Sequence, residues 1–442
     1  MVAEKDAKVL VVAYIGTGSM GRPMIHKLLE HGYTVQVYDK YAEAATTVLA
    51  AGAQWRPSPK ECAQGADVVI TNLPLPQHVL ENMTGEQGGL EGTRPGGVWI
   101  DMSTTDYHNT LRIATLGRKK GVLCLEAPIS NLSHMGVDFC NASFYVGGDK
   151  AGYDYAKEVL DVVGKISFYV GEIGEAQTVK LLTNLLFYTG MAIFGEVAMV
   201  ARSRGLDLFW LWDRLKNSRA DSVALEQFAP FLFDGSYDRS CSLEIADKDM
   251  SLTVALGAEL KVALPLGSII QKRYAQAAAK YRAHDNHVIV NKLLEEETGV
   301  DLRIPGFYAR SKYGSKRDFV RPEGFIEDKY GRIKPSVLET IECPIKEDPP
   351  QWMALLELLR DYLTYTNYVI HGEAVALGLA MGHSKELVDE MILWSVGTCW
   401  VSDHQEECAP DVGVLQRMKG ENFTQKFDLP ILRQFLETTK SV

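Results

Sequence analysis

A lysine and an asparagine stand four residues apart in a segment that is otherwise mostly apolar, small or hydroxyl-bearing. The segment is GEAQTVKLLTNLLFYTGMAIFGEVAMVARSRG, residues 174–205, and the two residues are Lys180 and Asn184. Its composition predicts a helix that is buried on nearly every side, and positions i and i+4 share one helix face. A buried ammonium is unfavourable unless it is paired or its pKa falls. A lysine with a pKa near neutral suits proton transfer from an alcohol, so the pair indicates a general acid/base beside an amide; the alternative is a lysine that reaches the surface.

A glycine-rich turn near the start of the chain has the pattern that binds the phosphates of a dinucleotide. Residues 9–15 form a short apolar run, which predicts a strand buried on both faces of a parallel sheet. The pattern G-x-G-x-x-G follows it and precedes a helical pattern; its glycines allow a tight turn, a close approach of the pyrophosphate and close helix–strand packing. The residues expected at the cofactor phosphates are Gly16, Thr17, Gly18, Ser19, Met20 and Gly21.

An acidic residue at the end of the next β-branched run bears on which nicotinamide cofactor binds. Asp39 follows TVQVY, 23 positions after Gly16. A carboxylate there accepts hydrogen bonds from the adenosine ribose hydroxyls and repels a 2′-phosphate, which favours NAD. Lys40 beside it would attract that phosphate, so NADP is the alternative.

Composition narrows the class of protein. A chain of 442 residues predicts two or three domains. Its formal charge of −11 disfavours nucleic acid and anionic membrane as partners. No apolar run reaches about 18 residues, so no membrane span is expected. Seven scattered cysteines without a C-x-x-C pair predict reduced thiols in a cytoplasmic protein, with no metal site.

Further apolar segments extend the predicted sheet: residues 66–74, 96–105, 123–130, 143–149 and 166–171. The first two end in polar or turn residues, where the strands of such sheets meet ligand. We therefore predict an α/β Rossmann domain with a mostly parallel, doubly wound sheet, followed by an all-α helical domain.

Six stretches occur in the order in which β-hydroxyacid dehydrogenases have them. They are GTGSMGRPM, NLPLPQHV, DMSTT, EAPIS with YVGGD, VGEIGEAQTVKLLTN and ADKDMSLTVALGAELKVALPL, over roughly residues 8–300. The chain thus resembles this family, which includes 3-hydroxyisobutyrate dehydrogenases and, more distantly, 6-phosphogluconate dehydrogenase. The resemblance implies hydride transfer between NAD(P) and the carbinol carbon of a hydroxy acid or related alcohol.

The resemblance also implies residue roles. Lys180 matches the general acid/base, Asn184 the residue that orients the substrate hydroxyl, and Ser130 the serine that holds the substrate beside the nicotinamide. The family residues that line the nicotinamide and its ribose match Leu73, Pro74 and Thr104. The family lysine that reaches over the cofactor matches Lys248.

The loop after Ser130 departs from the family pattern. Two glycines usually follow this serine, and their N–H groups bind the substrate carboxylate. Here Asn131 and Leu132 replace them, and one residue is inserted before Gly136. Because these side chains fill space that a small carboxylate would use, we expect both residues at the substrate and a substrate shaped differently from 3-hydroxyisobutyrate.

The chain continues for 142 residues beyond the usual end of the family, near residue 300. The stretch LLTNLLFYTGMAIFGEVAMVARSRG from Leu181 aligns with LLRDYLTYTNYVIHGEAVALGLAMG from Leu358. The offset is 177 throughout and pairs Glu196 with Glu373. The alignment predicts an internal helical repeat, as in the duplicated helical domain of 6-phosphogluconate dehydrogenase.

In the second copy, Glu357 and Asp361 occupy the positions of Lys180 and Asn184. Without the lysine and asparagine, this copy is expected to be structural. Small family members often dimerise through this helical unit, which implies a homodimer; an internal copy that replaces one subunit contact is the alternative.

The predicted organisation has four parts: a dinucleotide-binding domain (1–172), a catalytic helical domain (173–300), a connecting arm (301–350) and a second, degenerate helical repeat (351–442). The arm is rich in glycine, arginine, lysine and aromatic residues, and FVRPEGFIEDKYGRI within it predicts a hairpin. It is either a connector on the surface or a cover over the substrate, with Arg303, Arg310 or Arg321 as anion contacts.

Other functions stay open from the sequence. A 6-phosphogluconate-type oxidative decarboxylase is favoured by the length and the repeat, but the G-T-G-K-W-T run of that enzyme is missing. A catalytically silent cofactor-binding interaction module is disfavoured because Lys180 and Asn184 are both present. An imine-reducing relative is disfavoured because such relatives usually lack the lysine. In each case the expected ligand is a small molecule.

Overall fold

The computed structural model describes residues 10–131, 142–236, 241–307, 342–406, 411, 413–420 and 429–439. They divide into two compact units, and the division falls between Lys180 and Leu181. The predicted four-part organisation stays a prediction, and the predicted hairpin, with Arg310 and Arg321, lies outside the described residues.

The first unit is built on a sheet of nine described strands in the order β3-β2-β1-β4-β5-β6-β8-β7, with β9 beside β8. Neighbouring strands from β3 to β6 are parallel, β8 is antiparallel to β6 and β7, and β9 is parallel to β8. The strands are β1 (Val11–Ile15), β2 (Thr34–Tyr38), β3 (Gln54–Trp55), β4 (Val68–Thr71), β5 (Val98–Asp101), β6 (Leu123–Glu126), β7 (Ile129–Asn131), β8 (Ala142–Gly148) and β9 (Ile166–Gly171). The predicted α/β class with a mostly parallel sheet is confirmed.

The structure contains two strands where the sequence predicted one. The run at residues 123–130 contains Pro128, which has no N–H to donate to a neighbouring strand. β6 ends at Glu126, and β7 begins at Ile129 and continues the antiparallel pairing with β8 in the same register.

Helices of the first unit cover both faces of the sheet. Successive β1 side chains enter different cores, Val12 and Tyr14 one, and Ala13 and Ile15 the other, because strand side chains alternate. Such two-sided burial explains why β1 is an uninterrupted apolar run. The helices are α1 (Gly21–Glu30), α2 (Thr46–Ala50), α3 (Pro59–Ala63), α4 (Pro76–Met83), α5 (Gly89–Gly92), α6 (Tyr107–Lys119) and α7 (Lys150–Val163).

Helix α8, Glu175–Ser203, begins in the first unit and continues into the second. Residues 176–201 are all buried, as the sequence predicted. By length and composition alone this helix is able to cross a membrane, although no membrane span was expected from the sequence. Its most apolar window is 100% buried within the protein, as core helices are, so the composition is weak evidence for a span.

The second unit is helical in its described part. Its further helices are α9 (Leu208–Leu215), α10 (Ala229–Phe233), α11 (Leu243–Leu260), α12 (Pro265–Lys280), α13 (Val290–Thr298), α14 (Pro350–Ala380), α15 (Lys385–Leu393), α16 (Trp400–Asp403), α17 (Val414–Gly420) and α18 (Pro430–Thr439). The predicted all-α region is therefore present.

The internal repeat is visible in equivalent local structures 177 positions apart. Helices α8 and α14 are the two longest helices in the described part of the chain, and each is followed by a capped shorter one. Asp207 caps α9 by accepting from Trp210 N (2.9 Å), and Ser384 caps α15 by accepting from Leu387 N (3.2 Å). Matching caps at the predicted offset support two copies of one folding unit.

The two copies contact each other through equivalent residues. Ser222 and Cys399, again 177 apart, form an antiparallel bridge. The flanking hydrogen bonds join Val223 N to Thr398 O at 3.1 Å and Trp400 N to Asp221 O at 2.9 Å. Because the same backbone groups meet reciprocally, the bridge lies on a local pseudo-twofold axis.

Two glutamates extend this reciprocity. Glu196 of α8 accepts hydrogen bonds from the first turn of α18, and Glu373 of α14 accepts them from the first turn of α12. Asn184, by contrast, has a residue of different chemistry at the equivalent position of the second copy. Its counterpart Asp361 forms ion pairs with Arg219 (2.5 Å) and Arg417 (3.2 Å).

Candidate active site

The three glycines after β1 have three different environments. Gly16 has φ of +107°, and a β-carbon on it would lie 2.3 Å from Asn72 O. A β-carbon on Gly21 would lie 2.2 Å from Gly16 O, whereas one on exposed Gly18 would meet nothing within 4 Å. The first and third glycines are thus required by the protein's own packing, and the second faces open space where a pyrophosphate fits.

The start of helix α1 suits an anion. The helix has ten residues, and its N-cap, Met20, supplies no side-chain hydrogen bond. Its first turn also contains no acidic residue. The first N–H groups of a helix have no intrahelical acceptor and carry the positive end of its dipole. The predicted residues Thr17, Ser19 and Met20 lie in the turn that leads into this end, so the chain fits a dinucleotide phosphate there.

Asp39 lies at the end of β2 beside the glycine-rich turn. Its Oδ2 accepts from Thr17 N at 2.7 Å and Thr17 Oγ1 at 3.0 Å, and its Oδ1 accepts from Tyr41 N at 3.0 Å. The carboxylate therefore shapes the turn, and its remaining lone pairs can still accept from ribose hydroxyls. Lys40 is exposed, with its Nζ 5.9 Å from the centre of the Tyr41 ring.

The residues predicted near the nicotinamide follow strands β4 and β5. Leu73 N donates to Ser103 Oγ at 2.9 Å, which joins the two turns after these strands. Thr104 is half-buried and Pro74 is exposed. Both turns lie at the carboxyl edge of the parallel strands, the edge that binds ligands in such sheets.

Ser130 in β7 is fully buried, and its Oγ has no hydrogen-bond partner among the described residues. Buried hydroxyls are normally hydrogen-bonded, so an unsatisfied one in a native fold calls for an explanation. A bound ligand that hydrogen-bonds to Oγ provides one. The side chain of Asn131 and the whole of Leu132, predicted to bind substrate, lie outside the described residues.

Lys180 is 8% exposed in the first half of α8. The structure therefore does not support the alternative of a lysine extended to the surface. Asn184, one turn further along the same helix, is 4% exposed. The predicted pair is thus buried on one helix face.

In the second unit, a carboxylate that the sequence analysis did not identify fixes the amide of Asn184. Asp249 of α11 is 1% exposed, and its Oδ2 accepts from Asn184 Nδ2 at 2.6 Å and from Tyr188 OH at 3.4 Å. Tyr188 OH also lies 3.3 Å from Cys241 Sγ. Because Nδ2 faces Asp249, the acceptor Oδ1 of Asn184 is directed elsewhere.

Lys248 precedes this aspartate on α11. Its Nζ lies 3.1 Å from Asp249 Oδ1, and its side chain is 13% exposed. The same carboxylate therefore binds both Asn184 and Lys248. The predicted reach of Lys248 over the cofactor remains a prediction.

Two buried acids lie at the ends of adjacent parallel strands. Asp101 ends β5 and Glu126 ends β6, and they are paired in register. Burial raises the pKa of Asp101 to about 6 and that of Glu126 to about 8. Asp101 Oδ1 accepts from Thr71 Oγ1 (2.9 Å) and Ser103 N (3.0 Å), which supports the turn that precedes Thr104.

Asp249, Glu126 and Gln177 were not predicted, although each stands inside a stretch that carries the family resemblance. Their partners are distant in sequence: Asp249 binds a residue 65 positions away, and Glu126 binds backbone about 50 positions away. Neither spacing nor composition identifies such pairs. The available signal was that they lie within four positions of Lys248, Ser130 and Lys180 in the sequence.

Two family models match consecutive parts of the chain. The model for the NAD binding domain of 6-phosphogluconate dehydrogenase matches residues 11–171. The model for NAD-binding of NADP-dependent 3-hydroxyisobutyrate dehydrogenase matches residues 174–294. The matched residues contain the glycine-rich turn, Ser130, Lys180, Asn184 and Asp249.

Similar proteins match about two thirds of the chain. A 3-hydroxyisobutyrate dehydrogenase of Pseudomonas aeruginosa is 31% identical over 287 residues, 62% of this chain and 95% of that protein. A 2-(hydroxymethyl)glutarate dehydrogenase of Eubacterium barkeri is 29% identical over 296 residues, 67% of this chain and 98% of that protein. The solved structure of Mycobacterium tuberculosis 3-hydroxyisobutyrate dehydrogenase with L-serine is 27% identical, with a TM-score of 0.58, over 65% of this chain and 99% of that one.

These matches extend over nearly the whole of each relative and leave about a third of this chain unmatched. Their names describe dehydrogenases of hydroxy acids, and the models describe nicotinamide-cofactor domains. The chain belongs to the family of NAD(P)-dependent β-hydroxyacid dehydrogenases that includes the 3-hydroxyisobutyrate dehydrogenases.

Proposed function

We propose that this enzyme transfers a hydride between NAD(P) and the carbinol carbon of a hydroxy acid, with Lys180 as the general acid/base. The observation that carries the assignment is the burial of Lys180 one helical turn from Asn184, whose amide is fixed by Asp249. A buried amine beside an oriented amide suits proton transfer from an alcohol.

Each residue has a separate task in this reaction. The nicotinamide, when bound, accepts or supplies the hydride. During oxidation, Lys180 takes the hydroxyl proton as the C–H electron pair leaves; during reduction it returns that proton to the carbonyl oxygen. Asn184, with its amide nitrogen engaged by Asp249, orients the substrate oxygen. The hydroxyl of Ser130, for which the described residues offer no hydrogen-bond partner, supplies a further hydrogen bond to the substrate.

The substrate is proposed to be shaped differently from 3-hydroxyisobutyrate. Asn131 and Leu132 stand where the family has glycines, so the substrate carboxylate must bind differently. A relative named for 2-(hydroxymethyl)glutarate, which carries a second carboxylate, makes a hydroxy diacid the first compound to test. An oxidative decarboxylation of a sugar acid is not favoured.

NAD is the proposed cofactor, with NADP as the alternative. The carboxylate of Asp39 at the end of β2 supports NAD because it disfavours a 2′-phosphate nearby. Exposed Lys40 supports NADP. Comparing the dissociation constants of the two cofactors for wild type and Asp39→Ser decides between them.

Oligomeric state and location are separate proposals. A homodimer follows from the family resemblance, while the reciprocal bridge at Ser222 and Cys399 supports an internal repeat that replaces one subunit contact. Light scattering on the purified chain separates the two. A cytoplasmic location is supported by the free cysteines among the described residues, and the charge of −11 supports the absence of nucleic-acid or anionic-membrane partners.

The test of function is turnover of a panel of hydroxy acids, hydroxy diacids and sugar acids, followed through the cofactor absorbance. Lys180→Ala is expected to bind the cofactor normally and to lose at least about 100-fold in kcat. Lys157→Ala, an exposed lysine paired with Asp161, is the matched control and should retain full activity. Equal activity of Lys180→Ala and wild type would refute the acid/base role, and cofactor binding without turnover of any compound would favour a silent interaction module.

A further inference from the structure

The side chain of Glu126 holds the beginning of helix α8. Its Oε1 accepts hydrogen bonds from Gly174 N at 2.8 Å, Ala176 N at 2.7 Å and Gln177 N at 3.3 Å. These are N–H groups of the first turn, which have no acceptor within the helix. Glu126 ends β6 and is fully buried, so the helix that carries Lys180 is fastened to a strand inside the sheet.

Gln177 fastens the same turn a second time. Its Oε1 accepts from Thr105 N at 3.0 Å, and its Nε2 donates to Ser103 O at 2.8 Å. The side chain thus binds both neighbours of Thr104, the residue predicted to line the nicotinamide. Gln177 is 1% exposed and stands three positions before Lys180, about one turn away on the same side of the helix.

The backbone that enters α8 is also fixed. Gly174 has φ of +103°, and a β-carbon on it would lie 2.2 Å from Cε2 of Tyr107, the first residue of α6. Glycine alone adopts this conformation readily, and the aromatic ring leaves no space for a side chain. Together, Glu126, Gln177 and this glycine form what we call the α8 anchor.

The anchor bears on catalysis because proton transfer depends on short distances. A general base must come within about 2.6–3.2 Å of the atom whose proton it takes, and a displacement of about 1 Å can cost about 100-fold in rate. The start of the helix sets the backbone position of Lys180, and this position limits where the ammonium of its side chain can reach. The anchor joins that start directly to the turn beside the predicted nicotinamide position.

We propose that Glu126 and Gln177 are positioning residues for Lys180, which set the place of its ammonium relative to the turn at residues 103–105. The inference rests on the proposed function, in which Lys180 moves the proton. It assigns no contact between the anchor and the substrate. Loss of the anchor therefore lowers kcat and leaves cofactor affinity nearly unchanged.

The test compares variants that break the anchor with variants that keep it. Gln177→Met removes both hydrogen bonds at similar size, and Glu126→Leu removes the acceptor for three N–H groups. Each is expected to lower kcat by about 10–100-fold, with KM and the cofactor dissociation constant within about threefold of wild type. Glu126→Gln keeps an acceptor oxygen and should retain at least about one third of kcat.

Matched controls exist elsewhere in the chain. Gln36 is a buried glutamine that donates to Gln64 O at 3.1 Å, and Glu373 is a buried glutamate that caps α12 in the same manner. Gln36→Met and Glu373→Leu should lose stability while kcat per cofactor-binding site is unchanged. If the controls lose kcat as much as the anchor variants, or if the anchor variants keep wild-type kcat, the proposal is overturned.

A second readout needs no substrate and so separates this proposal from the proposed function. The pH dependence of reductive methylation of Lys180 is measured by mass spectrometry on the cofactor-loaded enzyme. The labelling midpoint should shift in Gln177→Met and stay at the wild-type value in Gln36→Met. An unchanged midpoint in Gln177→Met overturns the positioning role even if Lys180 proves catalytic, whereas a shift stands even if no tested compound turns over.

Discussion

Glu196 and Glu373, 177 positions apart, each bind the first turn of a helix that belongs to the other copy of the helical repeat. Glu196 accepts from Ile431 N (2.7 Å) and Leu432 N (3.0 Å), and Glu373 accepts from Leu266 N (2.7 Å) and Gly267 N (2.9 Å). In each helix the N–H donors follow an initial proline, which has no N–H of its own. The exchange makes the second copy part of the support for the first.

The exchanged caps predict matched losses of stability. Glu196→Ala and Glu373→Ala each leave two buried N–H groups without an acceptor, so each should lower the free energy of unfolding by about 1–3 kcal/mol. Urea denaturation measures the loss. Hydrogen exchange should localise it to residues 431–432 in the first variant and to residues 266–267 in the second. Exchange that rises instead in each glutamate's own copy would contradict the reciprocal arrangement.

The two contrasting glycines predict a separation of binding from stability. Gly18→Ala places a β-carbon in open space, so the melting temperature should stay within about 1 °C, while the cofactor dissociation constant rises at least about 10-fold because the pyrophosphate can no longer approach. Gly21→Ala places its β-carbon against Gly16 O and should lower stability by about 1–3 kcal/mol. Calorimetric titration and thermal unfolding measure both quantities. Unchanged cofactor affinity in Gly18→Ala would place the pyrophosphate elsewhere.

Asp249 is expected to act through Asn184. In Asp249→Leu the amide of Asn184 loses its acceptor at 2.6 Å, so its orientation is no longer fixed and kcat should fall by about 10–100-fold. Asp247→Asn changes an acid on the same helix that makes none of these contacts, and it should keep wild-type kcat. A double-mutant cycle with Asn184→Ala tests this dependence. Adding Asp249→Leu to Asn184→Ala should lower kcat little further, because both changes remove the same interaction. Additive losses would show that Asp249 acts independently of Asn184.

The buried carboxyls predict that stability falls as pH rises. Burial raises the pKa of Glu126 from 4.5 to about 8, so between these values the folded chain binds a proton that the unfolded chain has released. The stabilising contribution is complete below pH 4.5 and is lost as pH rises through about 8, with a slope of at most about 1.4 kcal/mol per pH unit. Asp101 and Glu373 act in the same direction, but their pKa values of about 6 and about 7 confine their effect to lower pH.

Urea unfolding of wild type and Glu126→Gln between pH 7 and 8.5 tests Glu126, because the other two carboxyls are present in both proteins. Glu126→Gln cannot ionise and keeps the acceptor oxygen, so its stability should change less over this range than that of wild type. Parallel curves for the two proteins would mean that Glu126 is ionised throughout.

The parts of the site that follow from local pattern were predictable. Strand β1, the glycine-rich turn and helix α1 could be predicted, because buried parallel strands and tight turns constrain the residue types at neighbouring positions. Lys180 and Asn184 stood out because polar residues interrupt an apolar helix. Asp249 was not identified, because its role exists only once α11 packs beside α8. The role of Glu126 was not predictable for the same reason. An acid at the end of an apolar strand is typical of a loop, and only the fold brings three N–H groups to this one.

The exchanged caps also bear on how the chain is made. Glu196 finds its donors 235 and 236 positions later in the sequence. A chain that leaves the ribosome from its first residue onward must therefore carry this glutamate without its native partners until residue 432 has been synthesised. We expect the helical unit to complete its core only after residue 432 has left the ribosome, with the dinucleotide-binding sheet formed well before it.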